Sequence, residues 1–174
     1  DKLTNGIKQM FPNAEIDVLL HGINPIIEQH CSKQAIRCLK IYEDKEKGLD
    51  IYDNYDLHVG FRIHAHVSAL SRRKYSYLLE QDGRGNDYGL TIERKLSVNS
   101  FVQRAESSSK IDKLYKRLLN IIGLELRFVD DASVDFILSV IRTDYKNSFA
   151  KFDNLERQIL SFNDLCLSAL SKLP

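Results

Sequence analysis

The chain has 174 residues, 43% of them hydrophobic and 28% charged, with a formal net charge of +1. This is long enough for one domain with a real core, and it lacks the lopsided charge that nucleic-acid or anionic-membrane partners usually leave. No apolar run approaches the roughly 20 residues that cross a bilayer, and the three cysteines, Cys31, Cys38 and Cys166, form no CxxC pair. Reduced thiols in a cytoplasmic compartment are the simplest account of them.

Residues 1–92 alternate between short β-like runs and helical stretches. Ile16-Asp-Val-Leu-Leu20 is the first strand, bounded by Asn13 and Gly22. Asn24-Pro25 opens a helix that runs to about Arg37, since Pro is tolerated in a first helical turn. His30, Cys31 and Cys38 could be imagined around a metal, but no second ligand pair exists and a helix face accounts for them. Leu39 to Tyr42 reads as a short strand, and Glu43 to Tyr55, polar but carrying Leu49, Ile51 and Tyr52, as a short helix.

The most informative stretch is Asp56-Leu-His-Val-Gly-Phe-Arg62-Ile-His64-Ala-His66. An apolar strand, Leu57 to Phe61, is followed at once by a guanidinium and two imidazoles, and then by the amphipathic segment Val67 to Leu70. Arg62 and His64 thus fall where a buried strand ends and a helix begins, the edge at which open α/β sheets bind ligands. A helix N-terminus offers free N–H groups to an anion, and Arg62 adds a planar fork suited to phosphate or carboxylate. Histidine as a residue type changes charge near neutrality, so His64 is a candidate to donate or accept a proton. A lone His beside an apolar strand is more often a structural hydrogen-bonding residue; the adjacent Arg weighs against that here. His66 falls within the helix and reads as a helix-face residue. His58 alternates with Leu57 and Val59 and points to a neighbouring layer. His21 closes the first strand and could border the same cleft.

Arg72-Arg73-Lys74 is a cationic helix end that the dipole favours. Tyr75 to Leu79 is the next strand, followed by Glu80, Asp82 and Arg84 with turn glycines Gly83 and Gly85. These polar residues form either a site cluster or a salt-bridged turn. Gly83-Arg-Gly85 lacks the Lys-Ser/Thr of a phosphate loop.

The second part of the chain is helical in pattern. Residues 93–109 are polar and poorly periodic and read as a loop. Ser107 to Ser109 can cap a helix carrying Leu114, Leu118, Ile121 and Ile122, and Asp131 another carrying Val134, Ile137, Leu138 and Ile141. Leu155, Ile159, Phe162, Cys166, Ala169 and Leu173 form one stripe of a last helix. The expected architecture is α/β: a Rossmann-like, mainly parallel sheet of four or five strands over 1–92, then the loop, then a helical region over 110–174 packing on the same domain.

Residues 56–65 resemble the signature of the polysaccharide pyruvyl transferase family, and Tyr77-Leu-Leu-Glu80-Gln-Asp82-Gly-Arg84-Gly resembles the strand and Asp-x-Arg turn that follow it there. The match is densest over 50–90. It implies one half of a glycosyltransferase-B-like architecture, the C-terminal, donor-binding half, with an N-terminal α/β domain of the same protein as partner. It also implies transfer of a pyruvyl group from phosphoenolpyruvate to two hydroxyls of a saccharide acceptor of a cell-surface polysaccharide, as a ketal, with no cofactor. Arg62 and His64 would contact the donor and His64 would be catalytic. Ile63 lies between them and joins the substrate-binding set, as do Glu80, Asp82 and Arg84. Two other readings stand beside this one. The chain could be a non-catalytic interaction module with its helical tail as partner surface, or a sugar-nucleotide glycosyltransferase half-domain, because fold does not fix function.

Overall fold

A computed structural model describes residues 2–44, 47–80, 97–99 and 131–172. The protein is mixed α/β, and every strand pairing among these residues is parallel. In chain order the elements are α1 (Lys2–Met10), β1 (Asp17–Leu20), α2 (Pro25–Lys33), β2 (Arg37–Lys40), two short 3-10 turns (Ile41–Glu43 and Asp50–Asn54), β3 (Leu57–Gly60), α3 (Ile63–Ser71), β4 (Tyr75–Glu80), β5 (Ser97–Asn99), α4 (Asp131–Lys146), a further 3-10 turn (Ala150–Asn154) and α5 (Leu155–Leu170). Two compact units divide the chain, residues 1–138 and 139–174.

In the first unit the strands form two hydrogen-bonded ladders, β1-β2 and β3-β4-β5, where one mainly parallel sheet was expected from the sequence. Each ladder begins with a strand–helix–strand unit of the same design. In both, a nine-residue helix ends two residues before a left-handed, non-glycine residue, Ala35 at φ 52° and Arg73 at φ 60°. The amide after that residue then reaches back to close the helix: Ile36 N–H donates to the Cys31 carbonyl at 2.9 Å, and Lys74 N–H to that of Ala69 at 3.0 Å. These bonds satisfy carbonyls that a helix end otherwise leaves open.

Local chemistry explains where the elements begin. The Asn24 side chain accepts from the Ile27 amide at 3.2 Å and Pro25 takes the first helical position, so α2 starts where that pair predicts. Asp17 and Arg37 are register partners at the mouth of the first ladder. The Arg37 guanidinium donates to both carboxylate oxygens of Asp17, with Nε at 2.8 Å, and the Tyr55 hydroxyl donates to the same carboxylate at 2.5 Å. The Arg37 fork holds the Asp17 carboxyl below its usual range. Arg72, at the end of α3, donates to Ser68 Oγ at 2.7 Å and pairs with Asp50 and Asp53, fastening the helix to the 3-10 turn at Asp50–Asn54.

A core cluster of Ile41, Tyr52, Ala65 and Ala69, with Leu19 and Ile51 against it, joins β1, both early 3-10 turns and α3. Small Ala65 and Ala69 let the α3 backbone come close to the Tyr52 ring. Strand β4 is buried from Ser76 to Glu80, as expected of a strand with a neighbour on each side. On α1, Gly6 faces Leu138, where a Cβ would collide with the leucine methyls, and Lys2 pairs with Asp135 at 2.7 Å.

Strand β5 lies within 93–109, the segment read as a loop, and pairs with β4 from Leu78↔Ser97 to Glu80↔Asn99. Three residues, two of them polar, are too few to show an alternation; the pairing partner specifies this strand. Among the described residues of the stretch 43–55, read as a helix, the helical structure is the end of one 3-10 turn at Glu43 and the 3-10 turn Asp50–Asn54. The expected helix over Leu114 to Ile122 lies outside the described residues. In the second unit, Lys151 pairs with Asp144, and Tyr145, Phe149 and Phe152 form a run of tilted ring contacts. Among the described residues no helix is long and apolar enough to cross a membrane.

Candidate functional site

The apolar strand β3 ends on Gly60, and two residues later Arg62, in extended conformation, is the N-cap of α3. Its carbonyl accepts the first helical bond, from His66 N–H at 3.0 Å, while its exposed side chain makes no capping bond. Ile63 is the half-buried first residue of the helix and His64 the exposed second. The sequence therefore places a guanidinium and an imidazole at a helix N-terminus on the carboxyl edge of a parallel ladder.

His21 reaches the same neighbourhood from β1. It follows Leu20 at that strand's carboxyl end and is half-buried. Burial lowers its pKa, and the positive fields of Arg62 and His64 lower it further, which ties the three residues together electrostatically. The ring is held: His21 Nε2 and the Tyr52 hydroxyl lie 2.8 Å apart. Tyr52 is 2% exposed, and burial raises its own pKa, so its hydroxyl stays protonated.

Behind this edge lies a buried polar chain. The Tyr52 ring stands edge-on to His58, with centroids 5.6 Å apart and planes at 81°. His58 Nδ1 is 2.7 Å from Ser76 Oγ, and His66 Nδ1 is 2.8 Å from the same oxygen. One hydroxyl carries one proton, so it donates to at most one of the two rings and at least one ring donates its Nδ1–H to it. Burial, and then His21, pushes the His58 pKa down to about 4. Burial, and then His58, pushes that of His66 down to about 3. Both rings are neutral at pH 7. His66, read as a helix-face residue, is 1% exposed because Ser76 on β4 supplies its partner.

Glu80 ends β4 at the same carboxyl edge, two residues past the Gly60↔Leu78 pair, and is 4% exposed. Asp82 and Arg84 lie outside the described residues. Sequence reasoning passed over Tyr52 and Ser76. Ser76 did carry a signal, since a hydroxyl inside an apolar strand needs a hydrogen-bonding partner. Among the described residues no group of three or more His, Cys, Asp or Glu side chains is disposed to hold a metal ion.

The arrangement suits a small anion: Arg62 to neutralise and orient it, the N-terminal amides of α3 behind it, and two imidazoles of different exposure to handle protons. Comparison with protein-family models, with curated proteins and with solved structures returned no match to this chain.

Proposed function

We propose that this chain is the phosphoenolpyruvate-binding half of a pyruvyl transferase-like enzyme, with a Rossmann-like core, acting in the cytoplasm on a saccharide acceptor. The observation that carries this reading is the placement of Arg62 and His64 together at the β3–α3 turn, within the motif that resembles the family's signature. Arg62 offsets the negative charge of the donor, and the α3 amides receive its phosphate or carboxylate. Ile63 lies between them in the chain, and Glu80, at the end of β4, joins the substrate-binding set together with Asp82 and Arg84.

In the proposed reaction, an acceptor hydroxyl oxygen bonds to C2 of phosphoenolpyruvate while a proton adds to C3, turning the methylene into a methyl. Phosphate leaves with the bridging C2–O electron pair. The second hydroxyl bonds to C2 and its proton leaves with the phosphate as hydrogenphosphate. Both original hydroxyl protons and the donor's two methylene hydrogens are then accounted for in one methyl and one hydrogenphosphate. His64 is the proton donor to C3.

Calorimetric titration of phosphoenolpyruvate, with inorganic phosphate as comparison, tests the donor site. Saturable binding of phosphoenolpyruvate, tighter than that of phosphate and dependent on Arg62, is expected. No binding, or binding unaffected by loss of Arg62, sinks the reading.

A further inference from the structure

The donor-site turn holds an arginine and a single exposed imidazole, but the chemistry moves two protons in opposite directions. One goes to C3 of the donor and one comes off the attacking hydroxyl. His21 is a second imidazole, just past the carboxyl end of β1 in the other ladder, outside the family-like motif and linked to α3 through Tyr52, which packs with Ala65 and Ala69. Its Nε2 is engaged by the Tyr52 hydroxyl at 2.8 Å, which leaves Nδ1 as the ring's other polar atom. Tyr52 is itself immobilised in the core among Ile41, Ala65 and Ala69, with its ring edge-on to His58.

We propose that His21 is a third member of the donor site and its proton acceptor, and that Tyr52 is its positioning residue. The proposal rests on the donor-site reading above. The role requires one tautomer of the His21–Tyr52 contact, that in which Nε2–H donates to the Tyr52 oxygen and the lone pair sits on Nδ1. As the acceptor oxygen bonds to C2, its proton passes to His21 Nδ1, while His64 gives a proton to C3. Afterwards His21 loses its proton to solvent and His64 regains one, which returns both rings to their starting state.

The charged and titratable groups around the His21 ring fit this role. Arg62 and His64 from the start of α3 and burial all favour its neutral form, and neighbouring His58 on β3 is neutral at pH 7. Tyr52, from the 3-10 turn, stays protonated. A neutral imidazole beside a cationic turn is a competent base and leaves the anion's site positive.

Nitrogen-detected NMR of histidine-labelled protein, with and without phosphoenolpyruvate, tests this without an acceptor sugar. In the free wild type His21 should show the tautomer protonated at Nε2. Saturating phosphoenolpyruvate should raise its pKa by about one unit or more, the scale of an opposite charge within about 4–6 Å. Tyr52→Phe should retain the fold but mix the two tautomers. Binding of phosphoenolpyruvate with the His21 titration unmoved, or an Nδ1-protonated ring in the wild type, overturns the proposal and leaves the donor site standing. No phosphoenolpyruvate binding at all removes both.

Discussion

His58 and Ser76 are register partners across β3 and β4, and their side chains meet at 2.7 Å where His66 from α3 reaches the same oxygen. One hydroxyl thus joins two strands and a helix behind the candidate site. Ser76→Ala would strip a partner from two buried rings. Each orphaned group costs about 1–3 kcal/mol, so the variant should unfold at clearly lower urea concentration at pH 7.5. An unchanged midpoint would mean that the hydroxyl does not bridge the rings.

The same pair makes stability depend on pH. His58 and His66 titrate at about 4 and about 3 in the folded protein against 6.5 as the reference value. A depressed folded pKa gives stability that is complete above 6.5 and is lost as pH falls toward the folded value. Between pH 6.5 and 4 the unfolded chain binds these protons and the folded chain does not. Each ring then contributes a loss of about 1.4 kcal/mol per pH unit. His66→Asn keeps a hydrogen-bonding group at the Nδ1 position and removes one titration. Unfolding free energies measured from pH 7.5 to 4.5 should therefore fall less steeply in the variant, and parallel curves would refute the assignment.

Gly60 ends β3 where a Cβ would stand 2.7 Å from His58 Nε2 and 3.1 Å from Cε1. The ring cannot swing away without breaking its bond to Ser76. Gly60→Ala should therefore destabilise by about 1–3 kcal/mol, the usual cost of overfilling a packed interior. Thermal unfolding followed by circular dichroism measures this. A wild-type midpoint would show that His58 has room to move.

How much of this was legible follows from how local each signal is. The β3–α3 turn was readable because an apolar run, a glycine, an arginine and a histidine stand consecutively. The start of α2 was readable because Asn24 and Pro25 do their work within one turn. Helices α4 and α5 followed from periodicity, and Leu155, the first member of the last stripe, is buried. Helix α1 was not assigned, although Leu3, Ile7 and Met10 recur at helical spacing and are half-buried. The role of Tyr52 was hidden because its partners, His21 and His58, come from two strands that only the fold brings together. The burial of His66 was hidden for the same reason: its partner sits on the following strand. Strand β5 and the division into two ladders depend on pairing between distant segments, which no short window of sequence encodes.

The central claim is that Arg62 anchors an anionic donor at the N-terminus of α3, and the measurement that tests it most directly is calorimetric titration of phosphoenolpyruvate into the wild type, Arg62→Ala and Arg62→Lys. Loss of the charge-assisted bonds should weaken binding by about 1.5–3 kcal/mol in Arg62→Ala. Arg62→Lys should recover little of this, because a point charge does not reproduce the planar fork. Circular dichroism should show all three equally folded. Equal affinity in the wild type and Arg62→Ala, or no binding by either, would contradict the account and favour a chain that serves as an interaction module.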